Sequence, residues 1–443
     1  DLAALYDTYE RMPSEKYVSP EIMLKIMLYA YHEGKEISSR TIEKNCKRDI
    51  NYMYLLEGRR APDHAAIARF RTKHFGKCAN LFLSQMTKIL LELKQLTKTE
   101  VFIDGTKIEA SANKYTFVWK KAVTKHQEKY LRKTALLVGD IIERYGCKPL
   151  WRKQVKKKHV KKLLKQLKIE AEKRELEFVS GRGHRKQQLQ KDIEDLEAAL
   201  QKLKEYETKL HRCGARNSYS KTDHDATFMH MKEDHMMNGQ LKPAYNIQHA
   251  VNSGFIVAAK VFPNPTDVMT LKPFMEQMEA SLQFQFARVV ADAGYESEEN
   301  LVYLRDKGIE AYIKPSNYEQ IGTKKFEKEI GRKENMQYDQ AGDYYICHNG
   351  KRVEKTGVKT RKTASGYLRE ETHYECKDCS GCLCKEKCLA GKNWKKPLEE
   401  RNKKLTVSRL FEEMREEEYR LINSEEGKKL RMNRSIQAEG GFA

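Results

Sequence analysis

The hydrophobic pattern turns on two short apolar runs that each end in a carboxylate. Val289, Val290 and Ala291 run into Asp292, and Val101, Phe102 and Ile103 run into Asp104. Continuous apolar runs of this length, bounded by turn residues, predict buried strands. Gly105 follows the first acid as a turn residue. After the second, Gly294 and Ser297 precede an amphipathic run through Leu301 and Leu304 that stops at Gly308. Ser297 reads as the N-cap of that helix. Both acids are therefore expected at the carboxyl ends of strands, where α/β sheets carry their chemistry.

Residues 1–80 show helical spacing. Ser19-Pro20 starts a helix with Ile22, Ile26 and Tyr29 on one face, Ser38 or Ser39 a second through Ile42, and Pro62-Asp63 a third through Ile67 and Phe70. Arg69 and Arg71 decorate the end of this region, which is either a helix-turn-helix-like DNA module or a packing domain. Residues 116–214 change to long charged helices. One stripe holds Val160, Leu163, Leu164 and Leu167; after a break at Gly181-Arg-Gly183, Leu189, Ile193, Leu196, Leu200 and Leu203 form a coiled-coil-like seam. A helical hairpin follows from this. Residues 215–240 read as a polar loop.

Strands return at Tyr245–Val251 and Gly254–Phe262 across the hairpin turn Asn252-Ser253-Gly254. Thr266 or Asp267 caps a helix through Leu271, Phe274, Met275 and Met278, and Ile309–Lys314 is a last strand. With the helical insertion removed, the order is a three-strand meander followed by α-β-α-β. That is the order of a ribonuclease-H-like core, assigned to residues 98–115 and 215–316. Residues 317–398 form a β-rich subdomain with a turn at Asn349-Gly350, and residues 399–443 a last helix that returns to the core. The expected fold class is a multidomain α+β/α/β chain: a mixed-sheet core, an N-terminal helical domain, a helical-hairpin insertion and a small cysteine-rich subdomain.

Charge and cysteine content sharpen this. The 443 residues carry 84 Lys+Arg against 63 Asp+Glu, a net +21, which points to a polyanionic partner such as nucleic acid. Between Lys148 and Lys168 lie ten basic residues and no acid, among them Lys156, Lys157, Lys158, Lys161 and Lys162. Mutual repulsion along that arm calls for phosphates. Nothing resembles a membrane span or signal peptide, so a cytoplasmic protein is expected. Five of the ten cysteines fall between Cys376 and Cys388. Their tight spacing predicts a structural four-thiolate site of Cys376, Cys379, Cys382 and Cys388, holding zinc or an iron–sulfur cluster.

Longer motifs carry a family resemblance over most of the chain. Phe102-Ile-Asp-Gly-Thr-Lys107, Leu241-Lys-Pro-Ala-Tyr-Asn-Ile-Gln248, Asn264-Pro-Thr-Asp267, Ala291-Asp-Ala-Gly-Tyr-Glu-Ser297 and Arg434-Ser-Ile-Gln-Ala-Glu439 resemble those of bacterial insertion-sequence DDE transposases. Pro62–Arg71 resembles their N-terminal module. The resemblance implies a catalytic triad of Asp104, Asp292 and Glu439 that binds Mg²⁺ or Mn²⁺; Asp267, by its place before an apolar helical run, reads first as a helix cap and otherwise as an auxiliary acid. Arg434 is expected to contact a phosphate or to form a surface ion pair. It further implies double-stranded DNA as partner, a homodimer, and a place at the nucleoid. The implied reaction is cleavage at element ends followed by 3′-OH strand transfer. Alternatives are a metal-dependent nuclease without strand transfer and a truncated, catalytically silent DNA-binding remnant. Two departures stand out: Arg431 occupies the place of a usual Tyr, and a Lys of the family pattern would fall beyond Ala443, as expected of a fragment.

Overall fold

The apolar runs do form strands, but one of them extends past the point where its pattern ends. In a computed structural model, residues 1–10, 18–34, 37–148, 155–181, 185–231, 239–389 and 396–440 are described, apart from the side chain of Glu439. Helices α1 (Ala3–Tyr6), α2 (Pro20–His32), α3 (Ser39–Cys46), α4 (Ile50–Leu55), α5 (His64–Arg69) and α6 (Gly76–Glu92) come first. Strands β1 (Glu100–Glu109) and β2 (Phe117–Trp119) precede helices α7 (Lys120–Tyr145), α8 (Lys157–Lys173) and α9 (Gln188–Cys213). Strands β3 (Ser218–Ser220), β4 (Thr227–His230), β5 (Leu241–Asn252) and β6 (Phe255–Phe262) then lead to helix α10 (Leu271–Leu282), strand β7 (Arg288–Ala291), helix α11 (Glu298–Asp306) and strand β8 (Glu310–Ile313). Further on come α12 (Lys324–Glu327), β9 (Gln337–Asp339), β10 (Tyr344–Ile346), β11 (Arg352–Lys362), β12 (Leu368–Cys376), α13 (Lys385–Cys388), β13 (Lys404–Val407), α14 (Arg409–Asn423) and α15 (Glu425–Gly440).

The chain divides into two units, one of Asp1–Gly105, Gln248–Lys260 and Thr266–Ala443, the other of Thr106–Ile247 and Val261–Pro265. In the first unit, Ser19, Ser38 and Asp63 cap α2, α3 and α5 through their side chains, as their positions before apolar-periodic runs predict. Ile22, Ile26, Met27, Ile42, Tyr52, Ile67 and Phe70 share one buried core, to which α4 contributes Tyr52.

Strands of the first unit run in the order β5-β1-β7-β8, with β6 on β5. β1 and β7 are parallel and pair Glu100–Phe102 with Arg288–Val290; β8 is parallel to β7. The turn between β5 and β6 holds Ser253 and Gly254 at φ of 52° and 81°, the left-handed pair that a two-residue hairpin requires. A mixed sheet with helices in this order is compatible with a ribonuclease-H-like fold. Phe102, Val290 and Tyr312 stand in register across three strands, and Leu430 and Ala438 of α15 pack on that row. A second sheet, ordered β13-β12-β11-β10-β9, follows the first in sequence.

The second unit begins inside β1. That strand does not stop at Asp104; it continues to Glu109, and Ala110 N donates to Pro243 O at 2.8 Å. Residues 218–220 and 227–230, expected in a polar loop, are strands whose buried faces pair β2 with β3 and β4 with β5. Residues 232–238 of that stretch lie outside the described residues. The helical insertion holds three helices rather than a hairpin, with Val138 and Ile141 of α7 joining Val160, Leu163, Leu167, Leu189, Ile193, Leu196 and Leu203 in one core. Among the described residues no helix is long and apolar enough to cross a membrane.

One buried acid of the first unit meets the end of the last strand of the sheet. Glu418 of α14 is 7% exposed and accepts from Ile313 N at 3.0 Å. Burial pushes its carboxyl up to about 8, against the pull of that N–H. Because the folded value exceeds the unfolded one, the native state keeps a proton that the unfolded chain releases. This contribution to stability is full below the unfolded value and is lost as pH rises towards about 8. Denaturant titrations should show stability falling over that window by up to about 1.4 kcal/mol per pH unit, and Glu418→Gln should remove that slope.

Candidate active site

Strand alternation sends Phe102 and Asp104 to the same face of β1, and Val290 and Asp292 to the same face of β7. This is the face on which α15 packs. Asp104 is 6% exposed, and Arg434 of α15 brings its Nη1 to 3.9 Å from Asp104 Oδ2. Arg434 is thus a partly buried neighbour of the acid rather than a surface ion pair. Asp292 follows β7 in extended conformation and its Oδ1 accepts from Gly294 N at 2.8 Å. Burial raises its carboxyl above the usual range, with Asp104 and Asp267 adding to the rise; Gly294 N and Arg434 oppose it. The acids of β1 and β7 therefore lie within electrostatic reach of each other, as the two apolar runs predicted.

The residues after Asp292 each hold this corner in place. Tyr295 is fully buried and donates its hydroxyl to Gln248 Oε1. The Glu296 carboxylate takes a bidentate pair from Arg415 of α14, Nε to Oε1 at 2.6 Å and Nη2 to Oε2 at 3.0 Å, and also accepts from Ser316 N at 2.8 Å. Ser297 caps α11 by accepting from Asn300 N at 3.2 Å. Asn300, 2% exposed, donates to both Tyr295 O and Val268 O at 2.8 Å.

That second bond ties in a third acid. Asp267 does not start α10, whose N-cap is Thr270. Its Oδ1 instead accepts from Gln248 Nε2 at 2.9 Å. A Cβ on Gly105 would collide with the Gln248 amide and stand 3.1 Å from Asp267 Oδ1. A Cβ on Gly294 would stand 3.0 Å from Asp292 Oδ1 and 3.4 Å from Asp267 Oδ2. The glycine beside each strand acid is thus the clearance that lets Asp267 approach. Sequence spacing did not single out Gln248 and Asn300, because their partners lie on other segments of the chain.

The last helix is docked near its end. His249 Nε2 lies 3.1 Å from Ala438 O, and Gly254 N donates to Gln437 Oε1 at 3.1 Å. Glu439 follows Ala438 on α15, and its side chain lies outside the described residues. Among the described residues no three His, Cys, Asp or Glu side chains gather closely enough to hold a metal ion. Asp104 and Asp292 supply hard oxygens of the kind Mg²⁺ prefers. As a donor set the pair fits such an ion.

Among the described residues no three of the cysteines gather closely enough to hold a metal ion. Cys376 ends β12 in the core of the second sheet, where its thiol lies 3.4 Å from Asp378 O and burial pushes it up to about 11. Cys379 Sγ accepts from Lys403 N at 3.4 Å, while Cys382 precedes α13 and Cys388 ends it. Cys347 packs at the edge of the same core and bears electrostatically on Cys376 and Cys388, although spacing did not mark it. Cys376 is hydrogen-bonded to Cys379, and Cys379 and Cys382 bear electrostatically on Cys388.

In the second unit, Lys156, Lys158, Lys161 and Lys162 are exposed, and Lys157 pairs with Glu207 of α9. Lys168 pairs with Glu197, so the arm is opposed in part by acids of the neighbouring helix. In the N-terminal helices Arg69 is exposed and Arg71 half-buried.

A transposase DDE domain model matches residues 216–383, a second transposase DDE domain model matches residues 346–443, and a transposase domain model (DUF772) matches residues 1–73. The chain belongs to the insertion-sequence DDE transposases. No curated protein and no solved structure matches it. Asp267, Asp292 and Glu439 fall inside the matched stretches of the transposase, whereas Asp104 and helices α7 to α9 fall between them. The clearance at Gly105 gives a direct check of the site. Gly105→Ala in the transposase should displace Gln248 and lower DNA cleavage about 100-fold, the scale of a misplacement of about 1 Å, with the melting temperature little changed.

Proposed function

We propose that the transposase cleaves DNA at the ends of its element and joins the freed 3′-OH to target DNA, with Asp104, Asp292 and Glu439 as its catalytic carboxylates. The observation that carries the reading is the placement of Asp104 and Asp292 on one sheet face beneath the helix that bears Glu439. Bound Mg²⁺ or Mn²⁺ supplies Lewis-acid activation of the attacking oxygen and stabilisation of the leaving one. The protein's own part is to hold the three carboxylates around those cations and to keep bulk water from Asp104. Arg434, beside Asp104, is placed to orient a phosphate once cations neutralise the acid. The partner is double-stranded DNA, the acting unit a homodimer and the setting the cytoplasm at the nucleoid; for these the support is family membership. The cysteine cluster takes no part in this reading.

Labelled element-end DNA incubated with Mg²⁺ or Mn²⁺ tests it. Cut and joined products should form with the wild-type chain. Asp104→Asn, Asp292→Asn and Glu439→Gln should each lower both by at least about a thousandfold, as befits several kcal/mol of transition-state stabilisation. Cutting without joining would support a nuclease, and binding without cutting a silent remnant.

The exposed lysines of α8 and its start, with Arg69 and Arg71 of the N-terminal helices, are proposed to contact DNA phosphates. Replacing Lys158, Lys161 and Lys162 by Ala should flatten the dependence of log K on log salt by roughly three units of slope. A slope equal to that of the wild type would remove the arm from the interface.

A further inference from the structure

We infer that Asp267 is a positioning residue of the catalytic site, held by Gln248, Tyr295 and Asn300 so that its charge strengthens cation binding by Asp104 and Asp292. The inference rests on the carboxylate reading above and adds to it a residue outside the triad.

Three observations converge on Asp267. Buried Tyr295 donates to Gln248 Oε1, which turns the amide so that Nε2 donates to Asp267 Oδ1 at 2.9 Å. Asn300 ties Val268 O and Tyr295 O together, so the turn of Asp267 and the turn after Asp292 move as one piece. Gly294 leaves Asp267 Oδ2 facing the Asp292 side, where an added Cβ would stand 3.0 Å from Asp292 Oδ1 and 3.4 Å from Asp267 Oδ2.

Asp104 and Asp267 both act to raise the carboxyl of Asp292, and Arg434 opposes them. Like charges held together are tolerated where they serve an incoming positive charge. Among the described residues no three acids gather into one metal-binding shell; the part assigned to Asp267 is exerted through its charge and through Gln248.

The test uses the full chain with Mn²⁺ as probe, measured by calorimetry without DNA, together with the Mg²⁺ dependence of DNA cleavage. Asp267→Asn keeps an oxygen that accepts from Gln248 but removes the charge. It should weaken Mn²⁺ binding and raise the Mg²⁺ requirement about tenfold, the lower range for residues that support metal ligands, with DNA binding unchanged. Asp267→Glu, which keeps the charge, should bind Mn²⁺ better than the Asn variant. Mn²⁺ binding by Asp267→Asn equal to wild type, while Asp292→Asn loses it, overturns the inference and leaves the site reading intact. Equal losses in the Asn and Glu variants, matched by a lowered melting temperature, also overturn it by assigning Asp267 to the fold. If Asp292→Asn still binds Mn²⁺ and cleaves, the site reading itself has failed.

Discussion

The parallel pairing of β1 with β7 is the constraint on which the rest of the first unit depends. Register between Phe102 and Val290 fixes which face Asp104 and Asp292 share, and a slip of one residue on either strand would send one acid to the opposite face. Placing two carboxylates together away from bulk water opposes folding, and the raised carboxyl of Asp292 records that opposition. The surrounding structure supplies what offsets it. Gly294 N donates to Asp292, Arg434 approaches Asp104, and the apolar row of Phe102, Val290 and Tyr312 is closed by Leu430 and Ala438. Burial of that row is the kind of interaction that outweighs a repulsion of this size.

Rigidity at the acid corner comes from polar groups satisfied one by one. Glu296 is nearly inaccessible and accepts from two nitrogens of Arg415, Nε and Nη2, so α14 cannot drift without leaving a buried charge unpaired. Glu418 reaches Ile313 N from the same helix. Helix α14 is thus pinned to the turn after β7 and to the end of β8, and α15 follows it directly. Through these contacts the backbone at Ala438 is set against His249, and Glu439 comes next in the chain.

What could be read in advance was local. The apolar runs before Asp104 and Asp292, the Ser19, Asp63 and Ser297 caps, and the turn at Ser253-Gly254 each depend on a few neighbouring residues, and each formed. The extension of β1 to Glu109 was hidden because its second half alternates with polar residues and draws its partner from Pro243, far along the chain. Strands β3 and β4 were hidden because buried polar groups such as Ser218, Ser220 and Thr227 look like loop residues until their burial is known. At the site, Asp267 was visible as an acid but its direction was not. Only the fold brings Gln248 within reach, so a side chain that could have capped α10 faces the acids instead. The cysteine spacing was legible too: Cys376, at the end of β12, and Cys379 three residues on are hydrogen-bonded to each other.

Glycine at the corner shows how one residue type can answer two demands at once. Neither Gly105 nor Gly294 has the positive φ that would require glycine for its backbone. The constraint is one of space: a Cβ on Gly105 would collide with the Gln248 amide, and one on Gly294 would press on Asp292, two residues before it, and on Asp267. The requirement is therefore set by the function of the neighbours, not by local conformation. A carboxylate site needs its acids close, and acids come close only where the chain between them carries no bulk. The Asp104-Gly105 and Asp292-Ala293-Gly294 pairings are two solutions of that steric problem, reached on two strands that the sheet holds side by side.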